Sequence, residues 1–144
     1  MVRRGGKRAL ESAGVVDAGV VLVRLVLQRR SHAVATKLLD RCARGELSLS
    51  ISVVNLAEVL QHTRRYTQAT GLDVVVLLRG YRVAFHSPDV RIARDVAILA
   101  SAADLSIADR FAIATATALK ARVYTTDGVL ARALEDRRLP VTLL

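Results

Sequence analysis

Short apolar runs alternate with longer segments of helical period along most of the chain. Gly14-Val15-Val16-Asp17 is a short apolar strand closed by a carboxylate, and Val20 to Gln28 has apolar residues at helical spacing through Leu22, Leu25 and Val26. Ser31 to Arg44 predicts a second helix with Ser31 as N-cap, a stripe of Ala35, Leu38, Leu39 and Cys42, and Gly45 just beyond its end. Leu47 to Ile51 fits a second strand, and Ser52 then opens a helix through Val53, Leu56, Ala57 and Leu60 towards Tyr66, with Gly71 as its outer limit. Asp73 to Arg79 predicts a short helix ending at Gly80, Arg82 to His86 a third strand, and Pro88 the first turn of a helix reaching about Ala102. Ser106 to Lys120 is apolar on most faces, as a helix packed on a sheet requires. Val123-Tyr124-Thr125, Asp127 to Asp136 and Val141-Thr142-Leu143 then predict a strand, a helix and a strand. This alternation implies an α/β fold whose mainly parallel sheet of about five strands is covered on both faces.

Length adds that 144 residues make one domain. Residues 1–13 are basic, carry Gly5-Gly6 and show no period, so they read as a flexible leader to a single domain over residues 14–144. An apolar content of 52% excludes low-complexity disorder. The run Val20 to Leu27 is broken by Arg24 and falls short of the ~20 residues that span a bilayer. Met1 to Arg8 is followed by no uninterrupted apolar region, so no secretory signal is read and the cytoplasm is the expected location. Cys42 is the single cysteine, which excludes internal disulfides and thiolate metal clusters.

Charge changes the picture further. The formal net charge is +9, and of the 22 basic residues all but Lys7, Lys37 and Lys120 are arginines, whose planar fork suits bidentate contact with phosphate. Aromatic residues are few (Tyr66, Tyr81, Phe85, Phe111, Tyr124), which argues against a surface for stacking successive bases. A nucleic acid bound here is expected to be held through its backbone.

Ligands of open parallel sheets sit outside the carboxyl ends of the strands, and the polar groups predicted there are acids. Asp17 ends the first strand, Glu58 lies on the helix after the second, Asp109 is in the first turn of the penultimate helix, and Asp127 follows the fourth strand. Two of them have ready structural explanations. Asp127 suits an N-cap, and Asp109, three residues after Ser106, suits a capping box. Glu58 lies among Leu56, Ala57, Val59 and Leu60, and Asp17 is set within Val15 to Leu22, surroundings where an unpaired carboxylate is costly. Converging carboxylates repel one another and raise each other's pKa unless a cation neutralises them. Oxygen donors favour Mg²⁺ or Mn²⁺, and His32, His62 and His86 are too scattered to hold zinc. His62 falls one turn after Glu58, yet a solvent-facing histidine explains it better. Arginines to hold a polyanion and acids to hold an ion fit phosphodiester hydrolysis, with Asp17 or Asp109 orienting the attacking water.

Val15-Val16-Asp17-Ala18, Asn55-Leu56-Ala57-Glu58-Val59-Leu60, Leu105-Ser106-Ile107-Ala108-Asp109-Arg110 and Thr125-Thr126-Asp127 resemble, in order and spacing, the four acidic motifs of PIN-domain ribonucleases, most closely the VapC-type toxins of toxin-antitoxin pairs. The resemblance covers nearly everything from Gly14 to Leu144. It implies a three-layer α/β/α fold, a Mg²⁺- or Mn²⁺-dependent endoribonuclease, a homodimer, and inhibition by a VapB-like antitoxin whose tail enters the acidic pocket. It also implies that Asp17, Glu58 and Asp109 are the core catalytic and metal-binding acids and Asp127 the fourth. Thr125 matches a hydroxyl residue two places before that acid, and Asn55 a polar position that would hold Glu58 in place. Where many relatives carry Asp-x-Ser after the first strand, this chain has Asp17-Ala18-Gly19.

Rival readings keep part of the pattern. A PIN-domain nuclease of RNA processing needs no antitoxin, and a small neighbouring open reading frame would favour the toxin. A non-catalytic RNA-binding module would use the acids as caps, and Gly19 leaves room for it. A phospho-acceptor receiver domain fits poorly, since the third strand ends in Phe85-His86 and Lys120 precedes the fourth. For a dimer, helices Val20 to Gln28 and Ser52 to Tyr66 carry more apolar residues than one sheet face requires.

Overall fold

The computed structural model describes residues 12–25, 30–101 and 105–144. The expected leader, apart from Ser12 and Ala13, lies outside the described residues, as do positions 26–28 of the first expected helix and the end of the Pro88 helix at Ala102.

The chain runs β1 (Ala13–Val16), α1 (Ala18–Leu25), α2 (Ser31–Ala43), β2 (Ser48–Ser52), α3 (Val53–Thr70), α4 (Val74–Gly80), β3 (Ala84–His86), α5 (Val90–Ile98), a 3₁₀ turn (Leu99–Ser101), α6 (Ile107–Leu119), β4 (Arg122–Thr125), α7 (Gly128–Asp136) and β5 (Val141–Leu143). The five strands pair in parallel in the order β3-β2-β1-β4-β5. Val15 of β1 stands opposite Ser50 of β2 and Val123 of β4.

Alternation along β1 divides the core between two helical layers. Val16 packs with Val20, Leu39, Leu49, Val59 and Leu78, contributed by α1 to α4 and β2. Val15 packs with Ile113, Val123, Leu130 and Leu134, contributed by α6, α7 and β4. The result is the three-layer α/β/α architecture, with β1 buried at its centre. Because the chain goes from β1 to one side for β2 and β3 and to the other for β4 and β5, β1 marks the switch point, the place where such sheets form a crevice.

Local chemistry sets most boundaries. Ser52 caps α3 by accepting from the Val54 amide, and Gly71 ends that helix in the left-handed region at φ 71°. Asp73 caps α4 by accepting from the Val75 and Val76 amides. Three expectations are corrected. Ser31 is not the cap of α2, which is preceded by Arg30 with no side-chain cap; the Ser31 hydroxyl instead donates to the Leu144 carbonyl at 3.2 Å. Pro88 precedes α5, whose cap is Asp89, accepting from the Ile92 amide at 2.9 Å. Arg82 takes φ 63° in a turn, so β3 starts only at Ala84. Asp89→Ala is expected to cost about 1 kcal/mol, read as a lower urea midpoint with an unchanged slope.

On α1, Val20, Val21 and Val23 are consumed by the core. On α3, Leu60 and Tyr66 stay exposed.

Candidate active site

All four acids singled out in the sequence line one cleft of about 160 Å³ at the carboxyl end of β1, together with Gly19 and Asn55. They come from four separate stretches of chain, which the parallel sheet and the α3–α6 packing bring together.

Asp17 is the innermost, 5% exposed. Its amide donates to the Tyr124 carbonyl at 3.3 Å, its Oδ1 accepts from the Val20 amide at 3.1 Å, and its Oδ2 accepts from the Thr125 hydroxyl. Thr125 is itself fully buried, and its Oγ1 accepts from the Asp127 amide at 2.9 Å. One hydroxyl thus ties the first acid to the backbone of the fourth. Burial pushes the Asp17 carboxyl up to about 6; the Thr125 and Val20 hydrogen bonds pull it down, and the charges of Asp109 and Asp127 push it up.

The cap explanations of the other two aspartates hold as well, and they do not compete with a place in the cleft. Asp109 Oδ2 accepts from the Ser106 amide at 3.1 Å while Ser106 Oγ accepts from the Asp109 amide at 3.0 Å, a complete capping box. Asp127 Oδ1 accepts from the Val129 and Leu130 amides at the start of α7. Each cap uses one carboxylate oxygen, and the other has no hydrogen-bond partner among the described residues. Glu58 is half-buried on α3, and its carboxylate has no hydrogen-bond partner among the described residues.

Asn55 behaves differently from expectation. Rather than holding Glu58, its Nδ2 donates to the Ala108 carbonyl at 3.0 Å and clamps α3 to the first turn of α6, beside Asp109. Its Oδ1 is buried and unpartnered among the described residues. His62 is exposed, with Nδ1 2.9 Å from the Glu58 carbonyl rather than its carboxylate.

Among the described residues no cationic side chain pairs with an acid of the cleft. Among the described residues the ion pairs join Glu46 to Arg41 and Arg44, far from these acids in the chain. As the side chains stand, no three acidic, histidine or cysteine groups among the described residues are disposed to share one ion. The donor chemistry nonetheless suits a hard divalent cation: free carboxylate oxygens, a buried amide oxygen without a donor, and a buried carboxyl that ionises at the cost of desolvation.

Two residues next to the site were not singled out in the sequence. Thr126 sets its hydroxyl against Gly19, which lines the cleft, and Arg132 shares with Asp127 a shallow depression beside the cleft. The Thr126 contact carries no local signal, because it arises from how the β4–α7 connection is set against α1, whereas Arg132 reaches its place within the first turns of α7.

Against known proteins, a family model for the PIN domain matches residues 15–135. The chain belongs to the PIN-domain family, and with it to a class of nucleases. Among solved structures it is similar to VapC20 of Mycobacterium tuberculosis, a toxin that cleaves the sarcin-ricin loop, with a TM-score of 0.61 and 14% identity over 83% of this chain and 94% of that one. At that identity the likeness concerns the fold. No curated protein matches the chain. No described helix is long and apolar enough to cross a membrane.

Proposed function

We propose that this protein is a Mg²⁺- or Mn²⁺-dependent endoribonuclease that acts as the toxin of a VapBC-type pair. The observation that carries this reading is the convergence of Asp17, Glu58, Asp109 and Asp127 on one cleft in a chain of net charge +9. Asp17, Glu58 and Asp109 would hold the ion, with Asp127 as the fourth acid. Such an ion, when bound, supplies Lewis acidity toward a phosphodiester and a water nucleophile at neutral pH.

The remaining work falls to the chain itself. Thr125 fixes the Asp17 carboxylate through its hydroxyl, so that the innermost acid presents a constant face to the cleft. Asn55 fixes the α3–α6 distance, and with it the spacing of Glu58 from Asp109. The carboxylate oxygen of Asp109 that the capping box leaves free is available to orient an attacking water. Arg132, exposed next to Asp127, offers a guanidinium to a flanking phosphate of the RNA. A homodimer, a VapB-like antitoxin and a cytoplasmic place of action belong to the same reading.

The test is cleavage of a mixed RNA pool by purified protein in Mg²⁺, Mn²⁺ or EDTA, beside Asp109→Asn. Metal-dependent cutting that falls by about a hundredfold or more in the variant is the expected result. Equal cutting in EDTA, or by the variant, would overturn the assignment.

A further inference from the structure

Gly19 lies at the start of α1, two residues after the innermost acid. A Cβ placed on it would meet Thr126 Oγ1 at 2.6 Å and Asp17 Oδ1 at 3.4 Å. The first distance is shorter than real Cβ contacts allow, so the open α-carbon of Gly19 is the seat of the Thr126 hydroxyl. That hydroxyl has no hydrogen-bond partner among the described residues, and Thr126 is half-buried. Both chain neighbours of Thr126 are committed: Thr125 to Asp17, and Asp127 to the cap of α7. A polar group with its donor unused therefore rests against Gly19, and Gly19 lines the cleft together with Asp17 and Asp127.

Resting on the nuclease reading, we infer that Thr126 is a substrate-contacting residue of the cleft: its hydroxyl, seated on Gly19 beside Asp17, donates a hydrogen bond to a phosphoryl oxygen of the bound phosphodiester. The cleft otherwise presents carboxylates to an anionic substrate, and a neutral hydroxyl is the donor that adds no charge of its own. A serine at 19 would carry a hydroxyl of its own on the cleft lining, with its Cβ in the space that the Thr126 hydroxyl now fills.

The experiment is a swap. Thr126→Ala should lower kcat for RNA cleavage by about tenfold, the size of one hydrogen bond to a charged group, with its thermal midpoint close to wild type. Gly19→Ser on that background should recover most of the loss. A metal-free readout tests the seat itself. Gly19→Ala should lower the urea midpoint in the presence of Thr126, where the Cβ and hydroxyl collide, and raise it on the Thr126→Ala background, where only the helix preference for alanine remains. Wild-type cleavage by Thr126→Ala, failure of the swap to restore it, or additive midpoint shifts would each overturn the inference. A wild-type protein inert in every metal would instead remove the nuclease reading, and the role of Thr126 with it.

Discussion

Asp17→Asn is expected to abolish RNA cleavage, by about a thousandfold or more, and at the same time to make the metal-free protein more stable at pH 8. The two effects have one origin. The fold holds the Asp17 carboxyl near pKa 6, against 3.8 for an ordinary aspartate, chiefly because burial disfavours the charge. With a raised folded-state pKa, the proton contributes stability that is complete below the unfolded value and is lost as pH rises through about 6. At 1.36 kcal/mol per unit, the ionised form costs the fold about 3 kcal/mol at pH 8. Asparagine keeps an oxygen for the Val20 amide and carries no charge, so the variant should lack this decline. Urea unfolding from pH 4 to pH 8 in EDTA should show wild type losing stability across the window and the variant staying nearly flat. Parallel profiles would mean that Asp17 is not the group responsible. A divalent cation should then restore wild type at pH 8, by mass action on the folded state alone, and leave Asp17→Asn unchanged.

Gly14→Ala should be the most damaging single-methyl addition in the sheet. Gly14 sits in β1 between Leu49 of β2 and the ring of Tyr124, which is only 9% exposed. A Cβ there would lie 2.5 Å and 2.9 Å from Tyr124 ring carbons and 2.8 Å from a Leu49 methyl. Neither neighbour has free space, since Leu49 is 1% exposed, and overpacking of this kind costs about 2–3 kcal/mol. The thermal midpoint should fall by about 5–10 °C, and a second change of Tyr124→Leu should recover part of the loss by vacating the ring's place. A midpoint equal to wild type would show that the ring moves aside freely. Because the Tyr124 carbonyl accepts from the Asp17 amide, the variant should also lose cleavage activity at temperatures where it remains folded.

Much of this arrangement was legible in the sequence because it rests on local rules. Period 2 and period 3.6 identify the five strands and the described helices, and Ser52, Asp73, Ser106 and Asp127 cap where short polar side chains before apolar periods are expected to cap. The four acids stood out for a related reason: a carboxylate in an apolar run, as at Asp17, is an anomaly readable without a structure. What escaped depends on contacts between distant segments. Ser31 looks like a cap until the chain end at Leu144 arrives to accept its hydroxyl. Asn55 looks like a partner of Glu58, one turn away, until α6 brings the Ala108 carbonyl within reach. Arg82 leaves the third strand because it adopts a left-handed turn that its residue type does not announce. Gly19 reads as a lost side chain in the sequence, and only the fold shows a hydroxyl occupying that space.

The strand order has a consequence for how the protein is made. β1, which leads directly into the first acid, completes its pairing only with β4, and Val15 meets Val123 across more than a hundred intervening residues. Pairings so remote in sequence are slow to form, and Thr125, which ties Asp17 to Asp127, is delivered by the same strand. A chain emerging in order from its N-terminus therefore carries three separated acids and no centre until its last fifth has been made. On the proposed reading the site is assembled only when β4 arrives, and a fragment interrupted before β4 is expected to leave RNA intact.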